Sequence, residues 1–206
     1  MSLQIYVGSQ FEKPHGVAGR LAGWIMAHRR SNRHRNQWTV DLLQIEASDH
    51  VLEIGCGPGV ALEACLARAT TGLVVGLDHS LTMLQQAEAR NARAVADGRL
   101  RLQVGRIDDV AFPSESFDKI FWINVVQFIE DQAAIFAKLH GALKPGGRLA
   151  TTYMPRGAHP TKEQALDIAQ AIRHHLEQAH FCHIRTEELA LTPVPAVCVI
   201  GMRHVP

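Results

Sequence analysis

Residues 51–59 read Val51-Leu52-Glu53-Ile54-Gly55-Cys56-Gly57-Pro58-Gly59, and a helix-period segment through Ala61, Leu62, Cys65 and Leu66 follows at once. Val, Leu and Ile with a single acid near the end make a buried strand. Alternate glycines then turn the chain. They permit positive φ and remove the Cβ that would hold a ligand away, and the first turn of the following helix presents free N–H groups. The spacing is Gly-x-Gly-x-Gly, with Val60 where the third glycine of the dinucleotide fingerprint would stand. Cys56 lies inside this loop, with no His and Asn or Asp motif to make it a nucleophile, and reads as a small side chain packed beneath a ligand.

Outward from this loop, short apolar runs alternate with helix-period segments, the pattern of βα units on a parallel sheet. Strands are predicted at Val51 to Ile54, Leu73 to Leu77, Leu100 to Val104, Lys119 to Ile123 and Arg148 to Tyr153. Ser80 caps a helix carrying Leu84, Ala87, Asn91 and Ala94. Asp131 caps one carrying Ile135, Leu139 and Leu143, which Lys144-Pro145-Gly146-Gly147 ends. Thr161 and Gln164 form a capping box before Ile168, Ile172 and Leu176. Two last strands, near Ile184 to Leu191 and Ala196 to Met202, are joined through Thr192-Pro193-Val194-Pro195. So short a link makes an antiparallel hairpin, because a parallel crossover needs a dozen or more residues.

Asp78 ends the second strand in Gly76-Leu77-Asp78-His79-Ser80, nineteen residues after Gly59. In an open parallel sheet that position faces the same crevice, where a carboxylate can accept hydrogen bonds from both hydroxyls of a ribose. The third strand ends at Gly105-Arg106-Ile107-Asp108-Asp109, and Asn124, Val125 and Gln127 follow the fourth.

The first forty residues differ in charge: six basic residues against Glu12 give +5, in a chain of 206 residues whose net charge is +1. Near neutrality, 47% apolar and 20% charged residues describe a single globular domain, neither a coat for nucleic acid nor an acidic tail protein. The four cysteines form no Cys-x-x-Cys pair, and the first residues lack the regions of a secretion signal, so a cytoplasmic setting is expected. The uncharged stretch Leu189 to Met202 has fourteen residues and two prolines, too short to span a bilayer. Leu21, Trp24, Ile25 and His28, and then Trp38, Leu42 and Ile45, recur at helical spacing, giving two short helices before the sheet.

These segments together resemble the class I S-adenosylmethionine-dependent methyltransferases, especially the small ones that act on small molecules. The resemblance is carried by residues 51–59, Gly76 to Leu84, Phe117-Asp118-Lys119-Ile120 and Leu143 to Leu149, in the right order and spacing. It implies a Rossmann-like, doubly wound α/β sheet of seven strands in the order 3-2-1-4-5-7-6, with strand 7 antiparallel. An N-terminal helical extension or lid, residues 1–46, would precede a cofactor domain, residues 47–206. By this resemblance Gly55, Cys56, Gly57, Pro58 and Gly59 would wrap the methionine part of S-adenosyl-L-methionine, with Glu53 supporting the loop. Asp78 would hold the ribose hydroxyls, and His79 and Met83 would border the adenine. Arg106 stands where relatives place an Asp for the adenine amino group, leaving the backbone N–H and apolar side chain of Ile107, with Asp108 or Asp109 reaching the amino group instead. Asn124, Val125 and Gln127 would face the methionine moiety and the acceptor.

A sulfonium methyl is already activated, so alignment and exclusion of water carry most of an in-line displacement, and S-adenosyl-L-homocysteine is the product. A base is needed only where the acceptor must lose a proton; His15, His28, Tyr153 and His159 are its candidates. The acceptor candidates are Trp24, Arg29, Asn32, Arg33, Asn36 and Trp38. A basic extension folded over the cofactor would suit a carboxylate or phosphate on a small acceptor. A solvated helix face accounts for the same charges, and packing in the core accounts for the tryptophans. No metal site is expected: His174, His175, His180, Cys182 and His183 match no ligand spacing, and His is favourable near a helix C-terminus without metal. Nucleic acid and membrane are not expected partners, and the Asn/Asp-Pro-Pro-aromatic motif of nucleic-acid amino methylases is absent. A module that binds the cofactor or its product only to sense it, or to scaffold a partner, is the alternative of a different class.

Overall fold

The computed structural model describes residues 30–157 and 159–206. The second predicted N-terminal helix is present as α1 (Arg30–Leu43), while the first lies outside the described residues. Seven strands follow: β1 (Val51–Ile54), β2 (Val74–Asp78), β3 (Leu100–Val104), β4 (Phe117–Ile123), β5 (Leu143–Tyr153), β6 (Phe181–Leu189) and β7 (Ala196–Arg203). Between them lie α2 (Val60–Leu66), α3 (Leu81–Arg90), α4 (Ala92–Ala96), α5 (Gln132–Ala142) and α6 (Lys162–Gln178). The sheet order is β3-β2-β1-β4-β5-β7-β6, parallel except for β7, which pairs antiparallel with both neighbours. This is the seven-strand Rossmann-like arrangement expected from the sequence, hairpin included.

Strand periodicity sorts the core onto two faces. Leu52, Ile54, Ile120 and Trp122 pack against α5 and α6 through Phe136, Leu139, Ile172 and Leu176. Val51, Val74 and Phe121 pack on the other side against Val40 and Leu43 of α1, Leu62 and Cys65 of α2 and Leu84 of α3. Central strands such as β1 are buried along their whole length, whereas edge strands β3 and β6 are buried only at their first residue and are part-buried or exposed beyond it, as a rim must be.

The predicted caps form. The Ser80 hydroxyl accepts the Met83 N–H, the Asp131 carboxylate accepts the Ala134 N–H, and Thr161 and Gln164 bond reciprocally. Two local expectations are corrected. The single helix predicted after Ser80 is two, because Asn91 leaves helical geometry (φ −115°, ψ 27°) and its side-chain amide donates to Gly59 O and Ala87 O. Lys144-Pro145-Gly146-Gly147 is extended rather than a simple helix stop: Leu143 pairs with Phe117, and the register shifts between Phe117 and Lys119. A β-bulge absorbs the proline, which cannot donate to a ladder.

Candidate active site

A cleft of about 620 Å³ opens beyond the carboxyl ends of β1, β2 and β4, a size within the roughly 300–1,000 Å³ typical of small-molecule sites. β1 lies between β2 and β4, so consecutive crossovers leave in opposite directions and open a crevice at that point.

The glycine loop forms its floor. Gly59 caps α2 with φ 76°, and a Cβ there would come within 2.9 Å of the Ala87 Cα and Cβ, so the residue is fixed by both conformation and packing. Gly57, at φ 51°, is different: a Cβ there would meet nothing within 4 Å, because it would project into the open cleft.

Asp78 holds the loop from the neighbouring strand. Its Oδ2 accepts the Gly57 N–H at 2.8 Å and its Oδ1 accepts the Ser80 N–H at 2.8 Å, with His79 Nδ1 at 3.8 Å from Oδ1. Burial pushes this carboxyl above its ordinary value, opposed by the Ser80 and Gly57 N–H groups. Glu53 is 4% exposed, and its Oε2 has no hydrogen-bond partner. Burial, and secondly Asp78, drive it well above the ordinary carboxylate range. The Cys56 thiol is pushed up by burial, then by Glu53 and Asp78. It stays a thiol near neutrality, which removes it as a nucleophile.

The loop after β3 closes one wall with Arg106, Ile107 and Asp108, where Arg106 Nη2 stands 3.4 Å from Asp108 Oδ2. On the other side Asn124 adopts φ 57°, a left-handed conformation that Asn tolerates. Its Oδ1 accepts the Met154 N–H at 2.8 Å and its Nδ2 donates to Met154 O at 3.4 Å, tying the ends of β4 and β5 together.

The cleft therefore brings together Glu53, Gly55, Cys56, Gly57, Pro58, Asp78, His79, Met83, Arg106, Ile107, Asp108, Asn124, Val125 and Gln127, with Asn32 and Asn36 from α1. Gly59 lies behind it. Arg33 is exposed outside the lining. Trp38 is half-buried against Met154 and Val194. Tyr153 packs on the core, where burial raises its phenol, and His159 is exposed; neither lines the cleft. His15, Trp24, His28 and Arg29 lie outside the described residues. Sequence reasoning did not single out Arg35, Arg156, Phe128 or Glu130, all of which line the cleft. The only signal for Arg35 was its place in the basic run, four residues before Thr39 and one turn from Asn32.

Residues 52–151 match the family described as a methyltransferase domain. An uncharacterized methyltransferase of Bacillus subtilis, YdaC, is 33% identical over 183 residues, covering 89% of this chain and 98% of that protein. The chain belongs to the class I S-adenosylmethionine-dependent methyltransferases. A trans-aconitate 2-methyltransferase of Methylobacterium radiotolerans is 32% identical over 148 residues, 68% of this chain and 53% of that protein, so the chain spans about half its length. The fold is shared with the solved Haemonchus contortus phosphoethanolamine N-methyltransferase 2 in complex with S-adenosyl-L-methionine: TM-score 0.67 at 17% identity, over 83% of this chain and 52% of that one.

As a member of the family, the protein is an S-adenosylmethionine-dependent methyltransferase, and the cleft fits that cofactor. Gly57 leaves open space over the loop, and Glu53, in the cleft lining, has a buried Oε2 without a partner, an acceptor suited to a ligand that carries an ammonium group. Among the described residues no helix is long and apolar enough to cross a membrane.

Proposed function

We propose that this methyltransferase acts on a small-molecule acceptor, with S-adenosyl-L-methionine supplying an activated sulfonium methyl. The carrying observation is the single continuous cleft: Asp78, the glycine loop and Ile107 line one part, and Asn32, Asn36, Phe128 and Arg156 line the rest. Names of relatives support the same reading, since trans-aconitate, sterol and quinone methyltransferases are among them.

In this reading Asp78 takes the ribose hydroxyls with the lone pairs that Gly57 and Ser80 leave free. Glu53 Oε2 accepts from the methionine ammonium, Met83 and Ile107 border the adenine, and Asn124, Val125 and Gln127 flank the transferring end. The chain's own contribution is orientation and exclusion of water, which in well-aligned systems is worth on the order of 7–11 kcal/mol. Asn32 and Asn36, on α1, come from the extension (residues 1–46) that precedes the cofactor domain (residues 47–206), and they line the acceptor part of the cleft in a cytoplasmic setting.

Turnover tests this directly. S-adenosyl-L-homocysteine release is measured over panels of small carboxylates, phosphates, amines, thiols and phenols, beside transfer RNA and denatured protein. Sustained release with a small acceptor is the expected result. Release only with the macromolecules, or cofactor binding without any release, overturns it, the latter in favour of a sensing module.

A further inference from the structure

Arg35 is 3% exposed and lines the cleft, yet among the described residues no carboxylate answers its charge. Nη1 donates to the Met154 thioether at 3.2 Å, Nη2 to the Asn32 Oδ1, and the buried Nε has no partner. A thioether and an amide are weak company for a guanidinium, whose burial without a counterion costs several kcal/mol. A second cation makes matters worse: burial first, and then Arg156, lower its pKa to about 9, and among the described residues no carboxylate acts to raise it. Arg156 lines the same cleft from the segment after β5.

The position separates this pair from the ribose end. Arg35 is held at Met154, just past the carboxyl end of β5, whereas Asp78 ends β2, and β1 and β4 lie between them. Three strand spacings of roughly 4.8 Å put about 14 Å across that gap. Arg35 thus stands on the β4–β5 side, beyond the loop that follows β1. A planar guanidinium suits the two oxygens of a carboxylate or phosphate, and a second arginine lining the same cleft adds to the attraction.

We propose that Arg35, assisted by Arg156, is an oxyanion subsite that holds a carboxylate or phosphate of the methyl acceptor. It rests on the small-molecule reading above and narrows it to anionic acceptors. The same chemistry could be met by the cofactor's own carboxylate, and the experiment separates the two sources.

Wild type, Arg35→Met and Arg156→Ala, each checked for cooperative melting, are saturated with S-adenosyl-L-homocysteine and titrated calorimetrically with inorganic phosphate and with malonate at low ionic strength. Each protein alone is also titrated with S-adenosyl-L-homocysteine and with 5′-deoxy-5′-methylthioadenosine, which has the adenosine thioether but no carboxylate. Expected are binding of at least one anion to the loaded wild type, a loss of about tenfold or more in each variant, and homocysteine-product affinity within about threefold of wild type. Arg156 is exposed, so its variant keeps the test alive should Arg35→Met not fold. Failure of the loaded wild type to bind either anion overturns the proposal. So does a tenfold loss of S-adenosyl-L-homocysteine affinity with methylthioadenosine affinity unchanged, which would assign the guanidinium to the cofactor. Either result leaves turnover of uncharged small acceptors standing, so the broader reading fails only in its own assay.

Discussion

The Asp78 Oδ2 accepts the Gly57 N–H at 2.8 Å, so the end of β2 sets the shape of the loop that follows β1. One carboxylate thus fixes the backbone of the glycine loop and, in the proposed reading, still offers lone pairs to the cofactor. Asp78→Asn keeps the shape but turns an N–H₂ toward either Gly57 or Ser80, leaving a donor facing a donor. Hydrogen bonds to a buried charged group are worth about 1.5–3 kcal/mol. S-adenosyl-L-homocysteine affinity is therefore expected to fall roughly ten- to a hundredfold, read by calorimetry; an unchanged affinity would remove Asp78 from the site.

Glu53 carries a cost of burial. Its carboxyl is raised above the ordinary 4.5 by burial and by Asp78. The folded state therefore holds the proton that the unfolded state releases. That contribution is fully present below about pH 4.5 and is lost as pH rises through the higher folded value. Glu53→Gln, which never ionises, should melt higher than wild type at pH 8, with the gain shrinking to nothing as pH falls below 4.5. The same variant should bind S-adenosyl-L-homocysteine more weakly, because an amide answers an ammonium less well than a carboxylate. Equal melting temperatures across the range would show that the burial penalty is not borne by this group.

Asn91 bridges two elements that sequence periodicity treats as one. Its amide donates to Gly59 O at 3.2 Å and to Ala87 O at 3.0 Å, pinning the start of α2 to the end of α3. Asn91→Ala leaves the Gly59 carbonyl without this partner, at about 1–2 kcal/mol. A fall in melting temperature of roughly 2–8 °C is expected, together with weaker cofactor binding, since Gly59 ends the loop. Scanning calorimetry with and without S-adenosyl-L-homocysteine reads both.

The residues that signal themselves are those whose type is dictated locally. Glycines that turn a strand into a helix, a serine three residues before the N–H it caps, and an acid at a strand end carry their geometry in the chain, and they mark most of the residues that line the cleft around the glycine loop. Asn91 was lost because its place in an i, i+3, i+4 pattern says nothing of a carbonyl thirty-two residues away. Periodicity puts Leu143 on the helix and proline and glycine make residues 144–147 its stop; only pairing of Leu143 with Phe117 makes this stretch a strand. Arg35 was hidden for a related reason. Charge counting along the extension cannot tell exposed Arg33 from buried Arg35, two residues apart on one helix. Burial is decided by which face α1 lays on β5, where Thr39 Oγ1 meets Thr152 Oγ1 at 2.8 Å.

At the opposite end of β1 from the cleft, Lys119 Nζ lies 3.3 Å from Asp49 Oδ2, with side chains 11% and 9% exposed. Asp49 also accepts the Glu46 N–H at 2.8 Å, so the pair fastens the approach to β1 onto β4. Removing one partner of a buried pair strands the other charge, at about 3–5 kcal/mol, whereas replacing both is often neutral. Lys119→Met should therefore lower the melting temperature by roughly 6–20 °C, and Lys119→Met with Asp49→Asn should recover most of it. Because the pair sits at the amino ends of the strands, S-adenosyl-L-homocysteine affinity of the folded variants should match wild type. A double variant no more stable than the single one would mean that Asp49 serves the Glu46 N–H and not the lysine.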